Sequence, residues 1–193
     1  MAKSNLLFGI LFSFLIIDIN KNVHAEKKNE ISNIAENINV KIFSPSSNAS
    51  GVLIKKDLNQ YSILTAWHVL EDIKEGDELE IKTNDGYIHT FSRGSINKIE
   101  NVDLGVFKFK SSNKYKIAEL GKVEDSKMGD KIYVFGFPLP NSSVEGGFAR
   151  LQPGEITANS KNYNKEGYQI LYTNKTLPGM SGGSILNLNG KLI

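Results

Sequence analysis

The sequence contains no cysteine, and this absence removes several chemistries at once. Disulfide bonds, thiolate metal sites and a cysteine nucleophile are excluded, so the fold has to be held by core packing alone. Histidine is scarce as well, with three copies, His24, His68 and His89, and no two of them stand at the spacing of metal ligands. We therefore expect neither a metal nor any other cofactor.

The chain has almost no excess of positive or negative charge, because 23 Lys and Arg against 21 Asp and Glu leave a formal net charge of +2. No basic block with interleaved aromatic residues occurs, so the composition gives no support to a nucleic-acid partner. The 193 residues, 40% of them hydrophobic and 23% charged, are typical of a globular protein with one or two cores. Composition leaves the oligomeric state open.

The chain also lacks a long hydrophobic run. Its most apolar stretch, residues 6–17, is stopped by Asp18 and is shorter than the roughly 20 residues needed to span a bilayer. Lys3 precedes this stretch and Val23-His24-Ala25 follows it as a cleavage-like motif, a pattern typical of a secretory signal peptide. We predict that residues 1–25 are removed and that the mature protein is exported, to the periplasm or outside the cell, without a stable membrane span. A retained membrane anchor is the alternative.

The sequence also lacks any long segment with apolar residues at helical spacing. Residues 26–37 carry isoleucines at helical spacing and predict one short helix that leads into the domain. The rest of the chain alternates in short segments between turn signals, such as Asn84-Asp85-Gly86 and Asn189-Gly190, and this pattern predicts an all-β protein. The expected strands cover residues 40–43, 50–54, 61–69, 79–83, 87–91, 96–99, 104–109, 131–137, 148–157, 169–173 and 184–188, with an exposed loop at residues 141–147.

A glycine-rich stretch near the C-terminus, residues 177–184, holds the candidate nucleophile Ser181. Glycines stand two positions before and two positions after it, and glycine lets the backbone approach a reacting centre closely. A serine hydroxyl needs a histidine to take its proton and a carboxylate to orient that histidine. His68 ends an apolar, strand-like run, whereas His89 follows a turn on a half-exposed strand and is interpreted as a surface residue. Asp103, directly before a buried-looking strand, is the candidate carboxylate.

Three segments around these residues, Thr65-Ala66-Trp67-His68-Val69, Val102-Asp103-Leu104-Gly105-Val106 and Gly179-Met180-Ser181-Gly182-Gly183, resemble the signature blocks of trypsin-like serine proteases, most strongly those of the bacterial branch. The resemblance implies an all-β, chymotrypsin-like fold of two antiparallel six-stranded β-barrels. Residues 26–118 would form the N-terminal barrel with its lead-in segment, and residues 119–193 the C-terminal barrel. It also implies a serine endopeptidase that hydrolyses protein or peptide substrates through an acyl-enzyme intermediate.

The resemblance assigns a role to each candidate residue. Ser181 would attack the peptide carbonyl, His68 would take the proton and pass it to the leaving amine, and Asp103 would hold the imidazole in its productive tautomer. The backbone N–H groups of Gly179 and Ser181 would form the oxyanion hole. Lys175, six positions before the serine, stands where digestive members set their charge preference. Either it favours an acidic substrate side chain or it is a solvated loop lysine.

Two departures from the family accompany this assignment. Met180 stands where zymogen-activated relatives carry an aspartate, so we expect no N-terminal cut beyond signal removal. Twelve residues follow Ser181, so we expect the second barrel to be incomplete and the chain to be a fragment or to be completed differently. The alternatives to the protease are unrelated structural roles for the three residues and a catalytically silent protease-fold binding protein or fragment. A chaperone-protease of the periplasmic high-temperature-requirement type would need a peptide-binding domain after Ile193.

Overall fold

The computed structural model describes residues 25–44, 48–140, 148–160 and 167–193. Within these ranges the chain forms one α-helix, α1 (residues 25–38), and eleven strands. The strands are β1 Asn39–Phe43, β2 Asn48–Asp57, β3 Gln60–Thr65, β4 Glu80–Lys82, β5 Ile88–Thr90, β6 Asn97–Lys98, β7 Gly105–Lys110, β8 Lys131–Gly136, β9 Arg150–Asn159, β10 Ile170–Tyr172 and β11 Ile185–Asn187. The predicted signal peptide, apart from Ala25, and the predicted loop at residues 141–147 lie outside the described residues.

The first seven strands form one antiparallel sheet in the order β5-β4-β1-β2-β3-β7-β6. Along β7 the side chains alternate, so that Phe107 and Phe109 are buried in the core and the lysines that follow them are exposed. Tyr61 stacks on Phe109 in this core with ring centroids 5.4 Å apart. The sheet has seven strands where the resemblance implied six. The additional strand is the two-residue β6, which pairs with β7 and lies at the edge of the sheet.

The last four strands form a second antiparallel sheet in the order β10-β9-β8-β11. Gly190 has a φ of +71°, as the tight turn predicted at Asn189-Gly190 requires, and Leu192 then forms a bridge with Leu186 of β11. Leu192 also pairs with Leu120. The chain around Leu120 is therefore tied to the second sheet.

Helix α1 packs at the junction of the two sheets, and its predicted amphipathic spacing is confirmed. Asn39, the residue after the helix, donates from Nδ2 to Ser184 Oγ at 2.8 Å and accepts the Ser184 N–H on Oδ1 at 3.1 Å. Among the described residues no helix has both the length and the hydropathy that crossing a bilayer requires. The buried cluster under the helix consists of Ile31, Ala35 and Ile38 of α1, Val52 of β2, Ala118, Phe135 of β8 and Leu186 of β11.

Candidate active site

His68 and Asp103 lie side by side next to the ends of the paired strands β3 and β7 of the first sheet. His68 sits on a 3-10 turn, Trp67–Val69, directly after β3, and Asp103 comes just before β7, which pairs with β3. The backbone N–H of His68 donates to Asp103 Oδ1 at 2.9 Å, and His68 Nδ1 lies 2.8 Å from Asp103 Oδ2. A carboxylate only accepts hydrogen bonds, so the hydrogen of a neutral ring is on Nδ1 and Nε2 is left as the proton acceptor.

Asp103 has a further partner that the sequence analysis did not identify. Tyr168 donates its hydroxyl to Asp103 Oδ2 at 2.6 Å. The chain next to the tyrosine packs against the segment that carries Asp103, because a Cβ added to Gly167 would stand 2.6 Å from Val102 Cγ1. No local signal marks Tyr168, since it is 65 positions from Asp103 and belongs to none of the three sequence blocks.

The pKa of Asp103 lies below its ordinary value of 3.8. Desolvation of the partly buried carboxylate acts to raise this pKa, but the hydrogen bonds from Tyr168 and from the backbone and ring of His68 outweigh it. The attraction of the His68 ring lowers the pKa further. Asp103 is therefore ionised at neutral pH and able to accept all three hydrogen bonds.

The loop before Ser181 is a tight turn. Met180 N–H donates to the Leu177 carbonyl at 3.0 Å, with Pro178 and Gly179 as the two central residues. The φ of Gly179 is +90°, which a type II turn requires at its third position and which glycine adopts without strain. A Cβ at Gly179 would also stand 2.7 Å from the backbone nitrogen of Leu139. Glycine is thus needed here both for its conformation and for lack of space.

Ser181 itself belongs to a second turn that follows at once. Gly183 N–H donates to the Met180 carbonyl at 3.0 Å, and Gly182 within this turn has a φ of +79°. A Cβ on Gly182 would overlap the hydroxyl of Thr65 on β3. The glycines beside Ser181 therefore let its loop pack against β3, the strand that precedes His68.

The backbone N–H groups of Gly179 and Ser181 have no hydrogen-bond partner among the residues that the structure describes. Leu139 N–H donates to the Pro178 carbonyl at 2.8 Å. Because the N–H and the carbonyl of one peptide point in opposite directions, the N–H of Gly179 is directed away from Leu139. Over the described ranges, neither Gly179 N–H nor Ser181 N–H donates to a backbone carbonyl. Such a pair of free donors beside a nucleophile can bind a negatively charged oxygen.

His68 and Ser181 line one cleft of about 210 Å³, together with Leu139, Pro178 and Gly179. No hydrogen bond joins the His68 ring to Ser181 in the described part of the chain. The His68 side chain is 50% exposed, so its ring has room to turn, and catalytic hydrogen bonds are often long before a substrate binds. Larger cavities of about 540 and 760 Å³ open elsewhere on the second sheet, but neither contains a candidate catalytic side chain.

The remaining residues singled out from the sequence lie around this loop. Lys175 is exposed, while the neighbouring Asn174 is buried and donates from Nδ2 to the Gln152 carbonyl at 2.6 Å. Met180 is buried at 4% exposure, and its Cα would lie 2.9 Å from a Cβ at Gly136. The position before Ser181 is therefore held by an uncharged, closely packed side chain.

His89 lies apart from the candidate site. Its Nε2 is 2.8 Å from the Tyr115 hydroxyl and its ring centroid is 4.9 Å from that of Phe109. His89 lies on the edge strand β5, as expected of a surface strand residue, and its half-buried ring also contacts Phe109 and Tyr115. Desolvation lowers the pKa of His89, against the opposing attraction of Asp85. Among the described residues no group of three metal-binding side chains comes together.

Comparison with known proteins assigns the chain to a family. Residues 49–193 match the family model of the trypsin-like peptidase domain. The chain belongs to the trypsin-like peptidase family. The matched range contains His68, Asp103 and Ser181, so the three sequence blocks lie within one family domain.

The relatives of this chain include two curated proteases. It is 27% identical over 152 residues to Serine protease Do-like HtrB of Bacillus subtilis (strain 168) and 28% identical over 152 residues to Serine protease HTRA1 of Xenopus tropicalis. These alignments cover 75% and 77% of the chain. The chain spans 31% of the length of each of these relatives.

Among solved structures, the crystal structure of Deg5 is similar to this chain, with a TM-score of 0.73. The similarity covers 88% of this chain and 83% of that chain, at 19% sequence identity. At this identity the likeness shows the fold, and it confirms the predicted chymotrypsin-like all-β architecture.

Proposed function

We propose that the chain is a serine endopeptidase that hydrolyses peptide bonds in protein or peptide substrates. His68, Asp103 and Ser181 form its catalytic triad, and the N–H groups of Gly179 and Ser181 form its oxyanion hole. The observation that carries the proposal is the bond between His68 Nδ1 and Asp103 Oδ2, which leaves Nε2 as a base in the cleft that also contains Ser181. Membership of the trypsin-like peptidase family supports it.

The reaction proceeds in two halves. Ser181 Oγ attacks the carbonyl carbon of the scissile peptide while His68 Nε2 takes the hydroxyl proton, and the carbonyl electron pair moves to the oxygen. The N–H groups of Gly179 and Ser181 bind this oxyanion, each contributing about 2.7–4 kcal/mol to transition-state stabilisation. His68 then gives its proton to the leaving nitrogen, the C–N bond breaks, and an ester on Ser181 remains. Water activated by His68 hydrolyses that ester by the same steps.

Asp103 acts through the histidine. When His68 takes the proton its ring becomes positively charged, and the carboxylate 2.8 Å from Nδ1 stabilises this charge and keeps the ring oriented. The three residues come from the two proposed halves, 26–118 and 119–193, so catalysis depends on how these halves pack together.

The oxyanion hole needs no maturation cut in this proposal. The Pro178–Gly179 peptide is already held by Leu139, and the buried Met180 takes the place of the aspartate that zymogen-activated relatives pair with a new N-terminus. After signal removal the chain should therefore need no further N-terminal cut to form the oxyanion hole. A gain of more than about tenfold after a further N-terminal cut, corresponding to about 1.4 kcal/mol, would contradict this.

Export and specificity complete the proposal. Residues 1–25 act as the signal peptide, and N-terminal sequencing of the exported protein should begin at Glu26. Lys175, which is exposed six residues before Ser181, is the candidate for selecting an acidic side chain in the substrate.

A fluorophosphonate probe tests the proposed chemistry directly. The probe phosphorylates an activated serine and releases fluoride, so labelling reports the Ser181–His68 pair without knowledge of the substrate. We expect the folded chain to be labelled at Ser181, and labelling to be lost in Ser181→Ala and His68→Ala. Ser184→Ala is the matched control, because it removes a buried hydroxyl three residues away that contacts Asn39.

The outcome also separates the two functions that the sequence left open. A folded chain that takes no label, with circular dichroism unchanged, would favour a protease-fold binding protein that has no turnover. Labelling that survives His68→Ala would show that Ser181 is activated by something other than the proposed triad.

A further inference from the structure

Ser50 on β2 connects the first sheet to the loop that carries the nucleophile. It is fully buried, with a relative exposure of 0%. Its hydroxyl donates to the Gly179 carbonyl at 2.9 Å and accepts the Phe137 N–H at 2.8 Å. Its backbone N–H donates to the Ser181 carbonyl at 2.9 Å. One residue of the first sheet thus binds two separate loops of the second half.

These bonds belong to a series of hydrogen bonds to the backbone carbonyls of the loop at residues 177–181. Every carbonyl from residue 178 to residue 181 accepts a hydrogen bond, and Ser50 supplies two of the four, to Gly179 and Ser181. The other two come from Leu139 and Gly183. Because each peptide is planar, the bonds from Leu139 and Gly183 set the directions of the Gly179 and Ser181 N–H groups, and the two bonds from Ser50 hold the peptides that follow Gly179 and Ser181.

Gly179 is the place where this support matters. Glycine adopts positive and negative φ with similar ease, so a turn centred on Gly179 can flip its peptides unless they are held from outside. A flip would turn the Gly179 N–H out of the cleft and leave the oxyanion with one donor. The Ser50 hydroxyl holds the peptide that follows Gly179, and through Phe137 it holds the neighbouring loop that contains Leu139.

We propose that Ser50 is a positioning residue that keeps the oxyanion hole formed, by tying the loop at residues 137–139 and the loop at residues 177–181 to β2. This inference rests on the proposed peptidase function. No sequence block pointed to Ser50, because it lies 129 positions from Gly179 in the chain.

The test compares Ser50→Ala with Ser184→Ala in the full chain. Both changes remove a buried serine hydroxyl, but the Ser184 hydroxyl bonds to Asn39 and not to the loop at residues 177–181. The acyl-enzyme is made with a chromophoric ester, and the stretching frequency of its acyl carbonyl is measured. This frequency rises when the hydrogen bonds from the oxyanion hole to the carbonyl oxygen weaken. Deacylation is followed on the same sample.

For Ser50→Ala we expect a higher carbonyl frequency and deacylation slowed about 10- to 100-fold, less than the roughly 10²–10³-fold effect of losing a donor outright. Ser184→Ala should keep the wild-type frequency and rate. If Ser50→Ala does not fold, Ser50→Cys keeps the side-chain shape with a weak donor and should give an intermediate effect.

Three results would overturn the inference. Wild-type frequency and rate in a folded Ser50 variant would show that the hydroxyl is not needed for the hole. Equal losses in Ser50→Ala and Ser184→Ala would show a general effect of loosened packing. A wild-type chain that forms no acyl-enzyme would contradict the proposed function itself, and the inference would fall with it.

Discussion

Removing the hydroxyl of Tyr168 tests whether the carboxylate of the candidate triad is supported from the second half of the chain. Tyr168→Phe deletes the 2.6 Å hydrogen bond to Asp103 Oδ2 and leaves the ring in place. The two bonds from His68 to Asp103 remain. The change therefore isolates one of the three donors to the carboxylate.

The expected magnitude follows from the exposure of the tyrosine. A hydrogen bond to a charged group contributes about 1.5–3 kcal/mol when water cannot replace it. Tyr168 is 52% exposed, so water takes over part of the lost interaction and a cost of about 1 kcal/mol is the appropriate estimate. If the whole cost falls on the transition state, kcat/KM decreases about fivefold.

The same change has a defined pH dependence. The pKa of Asp103 in the folded chain is lower than the ordinary value of 3.8, so its contacts stabilise the fold above about pH 4. This stabilisation is lost as the pH falls through the lowered pKa. Without the Tyr168 hydroxyl the desolvation of Asp103 is less well opposed, so the pKa of Asp103 rises and the stability difference between variant and wild type is present at pH 7 and disappears in acid.

Three measurements check this prediction. A carbon-13 titration of the Asp103 carboxyl gives its pKa, urea unfolding at pH 7 and in acid gives the stability difference, and steady-state kinetics gives kcat/KM. Tyr87→Phe, an exposed tyrosine on the β4–β5 hairpin, is the control. An unchanged Asp103 pKa together with a stability loss of equal size at both pH values would refute the reasoning.

Three further changes probe the site. Asp103→Asn places an amide donor opposite His68 Nδ1, so kcat should fall about 10⁴-fold, as the equivalent change does in a well-studied trypsin-like enzyme, while circular dichroism stays unchanged. Gly179→Ala forces a side chain onto a φ of +90° and to within 2.7 Å of Leu139 N, so ester hydrolysis should fall about 10²–10³-fold; wild-type rates would mean that the Gly179 N–H does not bind the oxyanion. Lys175→Glu should abolish any enrichment of acidic residues before the cut site in a peptide-library profile, and a wild-type profile without that enrichment would remove Lys175 from the specificity site.

Much of the fold followed from local patterns. The Asp-Gly and Asn-Gly turns, the alternation along β7 and the isoleucine spacing of α1 all depend on residues close together in the chain, and the structure has each element there. His89 lies on a surface strand as expected, but its ring contacts with Phe109 and Tyr115 could not be predicted, because those two residues come from later in the chain.

The sequence by itself predicted most of the strands and turns and the three residues proposed to carry the reaction, because backbone sterics and short motifs are local properties. The strand expected over residues 61–69 was too long, since it ends at Thr65 and a 3-10 turn carries His68. The tertiary structure decided which groups support the three residues. Tyr168 reaches Asp103 across 65 positions and Ser50 reaches Gly179 across 129. Such contacts depend on how the two sheets pack against each other, and no periodicity or spacing within one segment records that packing.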